Sequence, residues 1–161
     1  MATIVVETGS GTDPNANSYV SVADATTYAT DRGYSFTNDV SQALIKSMDY
    51  IESLSFIGNK NTDAQPLQWP RYGVVVDSYS VGSDEIPQLL IDALCECALG
   101  VDGGNSPIQN LDRTTKREKV GELEVEYEQG TREQVALQGL EVKLQKLLKQ
   151  GFGMNAIVGR A

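Results

Sequence analysis

The strongest constraint on the fold is an apolar repeat of helical period between residues 86 and 101. Its spacings of three and four residues place the apolar side chains in one wide stripe, which predicts a well-buried helix beginning around residues 83–87. A cluster of helix breakers at residues 102–107 ends it. The stripe consists of Ile86, Leu89, Leu90, Ala93, Leu94, Cys97, Ala98 and Val101.

Three more segments have helical patterns. A capping box that starts at Ser21 predicts a helix over about residues 22–32. A second helix is predicted from about residue 39 to near Gly58, because apolar residues again recur at spacings of three and four. The last helix is predicted from about residue 131 to residue 149.

Residues 59–82 interrupt the helical period with asparagines, prolines and glycines, and predict a loop with one short extended piece at residues 74–76. The loop contains Trp69 between two prolines, followed by Arg71. We expect Trp69 to fill the core. Arg71 is left open between a structural role and an interface role, since arginine is enriched at binding hot spots.

From Lys119 to Glu128 the period becomes two. Leu123, Val125 and Tyr127 fall on one face and glutamates on the other, which predicts a half-buried strand. We expect the basic segment 113–119 to pair with it antiparallel, with Gly121 as a bulge or bend rather than part of a two-residue turn. A lone hairpin is marginally stable in water, so it must lie on helices or gain strands from a neighbour.

The predicted fold class is mainly α: a small bundle of about four helices, a β-hairpin or strand excursion near residues 113–128, and extended terminal arms. A length of 161 residues suits a single domain. Its parts are an N-terminal arm (1–17), a helical body (18–104), the β excursion (105–130), a C-terminal helix (131–150) and a docking tail (151–161).

The charge of the chain is concentrated in one part. The net charge is −9, and residues 1–100 carry all of it, with four basic and thirteen acidic side chains. Proteins that bind nucleic acids normally present a basic surface, because neutralisation of phosphates supplies most of their affinity. The acidic first hundred residues therefore argue against tight DNA binding.

No pattern of catalytic or metal-binding residues is present in the sequence. The chain has no histidine, and Cys95 and Cys97 point to different sides of a helix, where they fit as buried apolar residues. The segment Gly9-Ser10-Gly11 lacks the preceding strand and following helix of a nucleotide site. We expect no enzyme activity, no cofactor and no metal. Nothing approaches the roughly 20 apolar residues of a membrane span, and we expect synthesis in a cytoplasm.

Five short segments, spread over roughly residues 20–130, carry a family resemblance through their order along the chain. They are Ala16-Asn17-Ser18-Tyr19-Val20-Ser21, Met48-Asp49-Tyr50-Ile51, Gln68-Trp69-Pro70-Arg71, Ile86-Pro87 and Glu118-Lys119-Val120-Gly121. Together they make the chain resemble the head-tail adaptor (connector) proteins of tailed bacteriophages. Similar proteins are also labelled DnaT-like single-stranded DNA-binding proteins, which is the alternative function. A third alternative is an unrelated helical interaction module.

The resemblance implies a ring of about twelve copies, closed by rotation, in the neck of the virion. Such a ring would bind the portal protein and a downstream tail or neck protein. It would let duplex DNA pass without specific binding, and it would involve no membrane.

The sequence suggests two sets of contact residues for such an assembly. The apolar tail is assigned to portal docking through Phe152, Met154, Ile157 and Val158. The subunit interface is assigned to Arg71, Arg113, Lys116, Arg117, Lys119, Leu123, Val125 and Tyr127.

Overall fold

A computed structural model describes residues 2–104, 118–120, 123–125, 140 and 142–149. Within these ranges the chain forms the helices α1 (Val22–Asp31), α2 (Val40–Glu52) and α3 (Gln88–Asp102), and residues 142–144 add a fourth helical segment. About four helices and a hairpin confirm the predicted fold class in part, but the small antiparallel sheets make the fold mixed rather than mainly α. Among the described helices, none is long and apolar enough to cross a membrane.

Six short strands pair into three two-stranded antiparallel sheets among the described residues. Their pairs are β1 (Asn59–Lys60) with β2 (Arg71–Tyr72), β3 (Val75–Val76) with β4 (Tyr79–Ser80), and β5 (Glu118–Val120) with β6 (Leu123–Val125).

The core lies between the three helices, because α3 packs along α2 and α1 packs against both. Leu44 and Ile51 of α2 meet Leu90 and Leu94 of α3 in one apolar cluster, and all four side chains are fully buried. The predicted apolar stripe of α3 therefore lies in the core, except for Leu89, which is exposed.

Local signals in the sequence set the ends of the helices. At α1, the Ser21 hydroxyl accepts a hydrogen bond from the Asp24 amide at 3.1 Å, which confirms the N-cap half of the predicted capping box. The Asp24 carboxylate accepts from the Ser21 hydroxyl, whereas a full capping box would use the Ser21 amide. Gly33, with φ +77°, ends this helix. Asp102 at the end of α3 accepts hydrogen bonds from the Thr37 amide (2.7 Å) and the Asn38 amide (2.8 Å), which joins α3 to the start of α2.

The prediction that the second helix reaches Gly58 is wrong, because α2 ends at Glu52. After it, the Ser53 hydroxyl donates back to the Tyr50 carbonyl, and Phe56 forms an antiparallel bridge with Leu148. The long-range bridge between Phe56 and Leu148 holds the segment out of a helix, and the helical period of the sequence contains no sign of it.

The segment of residues 59–82 is more ordered than the predicted loop, since it holds four of the strands. Val76 lies opposite Tyr79 in the β3–β4 hairpin, and the turn between them is formed by Asp77 and Ser78, both with positive φ. Two successive residues with positive φ are the mark of a tight hairpin turn. Strands of two residues are too short to produce a detectable alternation.

The segment assigned to an N-terminal arm folds back on the body. Val6 forms a parallel bridge with Ser18, and the buried Glu7 carboxylate accepts hydrogen bonds from the amides of Gly9 (2.8 Å) and Gly11 (2.9 Å). A Cβ atom on Gly9 would lie 2.0 Å from the Asp84 carbonyl oxygen. A glycine is required there, and the amides of this glycine-rich turn are bound by a side chain of the same chain.

The prediction of a single strand from Lys119 to Glu128 is wrong at its N-terminal end. Glu118–Val120 is one strand of the hairpin and Leu123–Val125 is the other, with only two residues between them. The prediction that the connection is not a two-residue one is therefore wrong, the predicted antiparallel pairing is confirmed, and Lys119 belongs to the first strand.

The C-terminal helix also ends earlier than predicted. Residues 142–144 are helical, residues 145–147 form a turn, and the Lys149 amide donates to the Ser55 carbonyl at 2.8 Å. The Ile57 amide donates to the Leu147 carbonyl at 2.9 Å. Backbone pairing with the segment after α2 thus replaces the last helical turn.

Candidate subunit interface

Arg71 organises a buried hydrogen-bond network beneath the loop that precedes it. Its side chain is only 6% exposed. The guanidinium donates to the carbonyls of Ile57 (2.8 Å), Gly58 (2.8 Å) and Gln68 (3.2 Å), with a longer bond to the Phe56 carbonyl. One planar fork thereby satisfies the backbone of two segments, which a lysine amine is not shaped to do.

Glu52 and Tyr19 extend this network to the other side of the loop. Glu52 accepts from the Tyr19 hydroxyl and from the Gln68 amide, and the Tyr19 hydroxyl accepts from the Trp69 amide at 3.1 Å. Burial raises the pKa of Glu52 despite these hydrogen bonds, which oppose the shift. Burial and the nearby Glu52 carboxylate hold the pKa of Tyr19 well above its ordinary value. Tyr19 is therefore a neutral hydrogen-bond donor at physiological pH.

The network decides the role of two residues that the sequence singled out. Trp69 is fully buried against Phe56, in an edge-to-face arrangement, so its predicted place in the core is confirmed. Arg71, left open and included among the interface residues, lies inside its own chain with its donors engaged. Within β2, Arg71 is buried and its neighbour Tyr72 is exposed, but a strand of two residues gives no sequence signal of this difference.

Most other cations of the described body also have partners in the same chain. The Arg32 guanidinium lies 3.5 Å over the Tyr28 ring, and Lys60 donates to the Gln65 carbonyl. Lys143 pairs with Glu96, and Lys146 pairs with Asp77 at 2.6 Å. These contacts leave the described body without a continuous basic groove. Over the same residues, no group of three or more acidic, cysteine or histidine side chains is placed to hold a metal ion.

Apart from Arg71, the described residues of the predicted interface lie in the β5–β6 hairpin. Lys119 lies opposite Glu124, and Val125 lies opposite Glu118. Leu123 and Val125, which the sequence places on one face, are both in β6. Among the described helices and strands, β5 and β6 contact only each other.

The remaining predicted contact residues lie outside the described part of the chain. They are Arg113, Lys116, Arg117, Tyr127, Phe152, Met154, Ile157 and Val158.

Large apolar side chains are exposed in a second hairpin, which the sequence did not indicate. In the segment from Val74 to Val81, Tyr79 is 79% exposed and Val75 is 55% exposed, and Tyr72 just before it is 51% exposed. The segment is held by a hydrogen bond from the Val81 amide to the Val74 carbonyl. Tyr34, 62% exposed, lies elsewhere, close to the contact between Thr37 and Asp102.

A family model described as "Putative DnaT-like ssDNA binding protein" matches residues 2–161. No curated protein and no solved structure matches the chain.

Proposed function

We propose that this chain, which belongs to the family described as putative DnaT-like ssDNA binding proteins, is a structural head-tail adaptor subunit of a tailed phage. Copies of it form a ring in the virion neck that joins the portal to the tail and continues the DNA channel. The observation that carries the proposal is the β5–β6 hairpin, which contacts no other described helix or strand of its own chain.

A hairpin of this kind needs a partner. Two strands alone are marginally stable in water, and stability requires further strands or a packed face. In the proposed ring, a neighbouring subunit supplies either the further strands or the surface on which the hairpin packs. In a ring each subunit meets the next through two different surfaces, so a projecting element and a separate receiving surface are what a closed assembly requires.

The charge distribution suits a channel subunit. Most of the described cations are paired or buried, and residues 1–100 carry a net charge of −9. A lumen lined by such a body repels phosphates and leaves duplex DNA free to slide.

The direct test is the mass of the purified chain in solution, with and without a portal protein. We expect assembly into a ring on the portal. Val125→Pro removes a backbone donor and fixes φ within β6, so it should reduce ring formation while leaving helical circular dichroism unchanged. The matched control Val125→Thr keeps the β-branched shape and the amide, and should assemble like the parent chain. Equal assembly of all three would refute the proposed role of the hairpin.

The apolar tail has its own test. In the proposed complex, residues 151–161 dock on the portal through Phe152, Met154, Ile157 and Val158. Deletion of the tail should abolish portal binding without loss of folding. A tailless chain that still binds the portal would reject this assignment.

Single-stranded DNA binding is the second candidate, and the description of the family supports it more directly than it supports an adaptor. The exposed rings of Tyr34, Tyr72 and Tyr79 are available for base stacking. Fluorescence anisotropy with a labelled oligo(dT) tests it. Binding that weakens steeply with salt and is lost when these tyrosines are changed would favour this function. Absence of binding at physiological salt would favour the adaptor.

A further inference from the structure

The β3–β4 hairpin has the features of a receiving edge. It is a two-stranded sheet, and both residues of β4, Tyr79 and Ser80, are exposed. Tyr79 lies opposite Val76 on one face, whereas Val75 lies opposite Ser80 on the other, so exposed apolar side chains occur on both faces. A partner that covered only one face of this sheet would leave the apolar side chain on the other face exposed to solvent. A strand added to the edge covers side chains on both, because side chains alternate along it.

The charges beside β4 indicate what kind of strand fits. Gly82 follows the hairpin, and its amide donates to the Glu85 carboxylate at 3.4 Å. The Asp84 carboxylate lies 3.0 Å from where a Cβ atom on Gly82 would be. Asp63 is on a neighbouring loop, which is joined to this region by a hydrogen bond from Asn61 to the Ser83 carbonyl. Asp63, Asp84 and Glu85 are exposed, and we refer to these three residues as the acidic border.

The same chain contains a strand of complementary charge. The segment leading into β5 carries Arg113, Lys116 and Arg117, and β5 itself contains Lys119. β5 belongs to another two-stranded sheet, and like all three sheets of the described residues this one contacts no other described helix or strand. Each hairpin lacks the third strand that makes a small sheet stable, and each offers the charge that the other lacks.

We propose that β5 of one copy pairs with β4 of a second copy, so that the two hairpins form a four-stranded sheet across the subunit boundary. The proposal rests on the proposed function, because it names the two surfaces of the ring contact. The contact is heterologous, with β4 on one subunit and β5 on the next, so each copy still offers an unused β4 and β5 and the assembly extends until it closes.

Crosslinking between two singly substituted chains tests this arrangement. Ser80→Cys and Lys119→Cys are made in separate copies, mixed, and treated with a short bismaleimide. Cys95 and Cys97 are buried, and burial raises the pKa of Cys95 to about 12, so the native thiols react slowly. We expect crosslinked dimers in the mixture and few in either variant alone.

Tyr34→Cys mixed with Lys119→Cys is the matched control. Tyr34 is also exposed, but it lies near the far end of α3, whose 15 residues separate it from the acidic border by about 22 Å. Equal crosslinking at residues 34 and 80, or none at residue 80, would overturn the proposal.

Charge reversal gives a second, independent readout. Asp63→Lys with Asp84→Lys should lower the assembled fraction at least tenfold, as should Lys116→Glu with Arg117→Glu. All four changes in one chain should restore assembly, because attraction returns with opposite signs. Failure of the fourfold variant to recover would count against direct contact of the two surfaces.

Other results separate this inference from the proposed function. Assembly on the portal without the crosslink would leave the adaptor function standing and reject the sheet. The crosslink without assembly on the portal would support the sheet between subunits and reject the adaptor function. If Tyr79→Ser abolished oligo(dT) binding and did not change the assembled mass, β4 would be a nucleic-acid surface and the proposed sheet would be rejected.

Discussion

The Arg71 network and the β5–β6 hairpin use the same kinds of residue in opposite ways. In the network, a buried guanidinium engages the carbonyls of its own chain, including those of Ile57 and Gly58. The hairpin follows a segment with several cations, yet it contacts no other described helix or strand. The type of a cation thus says little about its role. Burial and the supply of acceptors in the same chain decide whether it supports the fold or remains for a partner.

The largest effect on stability is expected from Arg71→Lys. A lysine keeps the charge but lacks the planar fork, and it leaves buried carbonyls without donors at roughly 1–3 kcal/mol each. The free energy of unfolding, measured by denaturant titration, should fall by about 3 kcal/mol. Arg32→Lys is the control, because Arg32 is exposed and should cost at most about 1 kcal/mol. Similar losses for the two variants would show that the buried hydrogen bonds of Arg71 contribute no more than an exposed cation does.

Tyr19→Phe tests the other side of the network. The change deletes the hydroxyl that donates to Glu52 and accepts from the Trp69 amide, and it leaves both groups buried without this partner. We expect a loss of about 2 kcal/mol in the free energy of unfolding. Tyr34→Phe removes an exposed hydroxyl and should change it by less than about 0.5 kcal/mol. If Tyr19→Phe lost no more stability than Tyr34→Phe, the network would tolerate the absence of this hydroxyl.

A smaller, pH-dependent effect is expected at Asp102. Slight burial raises the pKa of this carboxyl, but the hydrogen bonds from Thr37 and Asn38 outweigh it and leave the pKa below its ordinary value of 3.8. A lowered pKa in the folded state means that ionised Asp102 stabilises the fold above pH 3.8, and that this contribution disappears as the pH falls through the folded-state pKa.

Asp102→Asn should therefore lower stability at pH 7 by about 1 kcal/mol, a modest loss because solvent reaches this site. The difference between the variant and the parent chain should shrink in acid. Thermal unfolding at pH 7 and near pH 3 measures both values. A difference that stayed constant with pH would assign the effect to shape rather than charge.

The sequence predicts most of the helical body, because capping and apolar period are local signals. Ser21, Gly33 and the stripe of α3 have the roles expected of them. What it misses depends on contacts between distant residues. The early end of α2 requires pairing of Phe56 with Leu148, and the internal role of Arg71 requires carbonyls 13 and 14 residues away. The β3–β4 edge was missed because its strands have two residues each.

The smallest expected effect on monomer stability is at Lys116 and Arg117. If this basic segment serves a second copy, as proposed, its side chains contribute little to the fold of one chain. Lys116→Ser with Arg117→Ser should then change the free energy of unfolding by no more than about 0.5 kcal/mol, the range of ordinary surface substitutions. The same variant should lose assembly, measured as mass in solution at constant ionic strength. A loss near that of Arg71→Lys would place these cations inside the fold of their own chain, and the contrast between the two regions would fail.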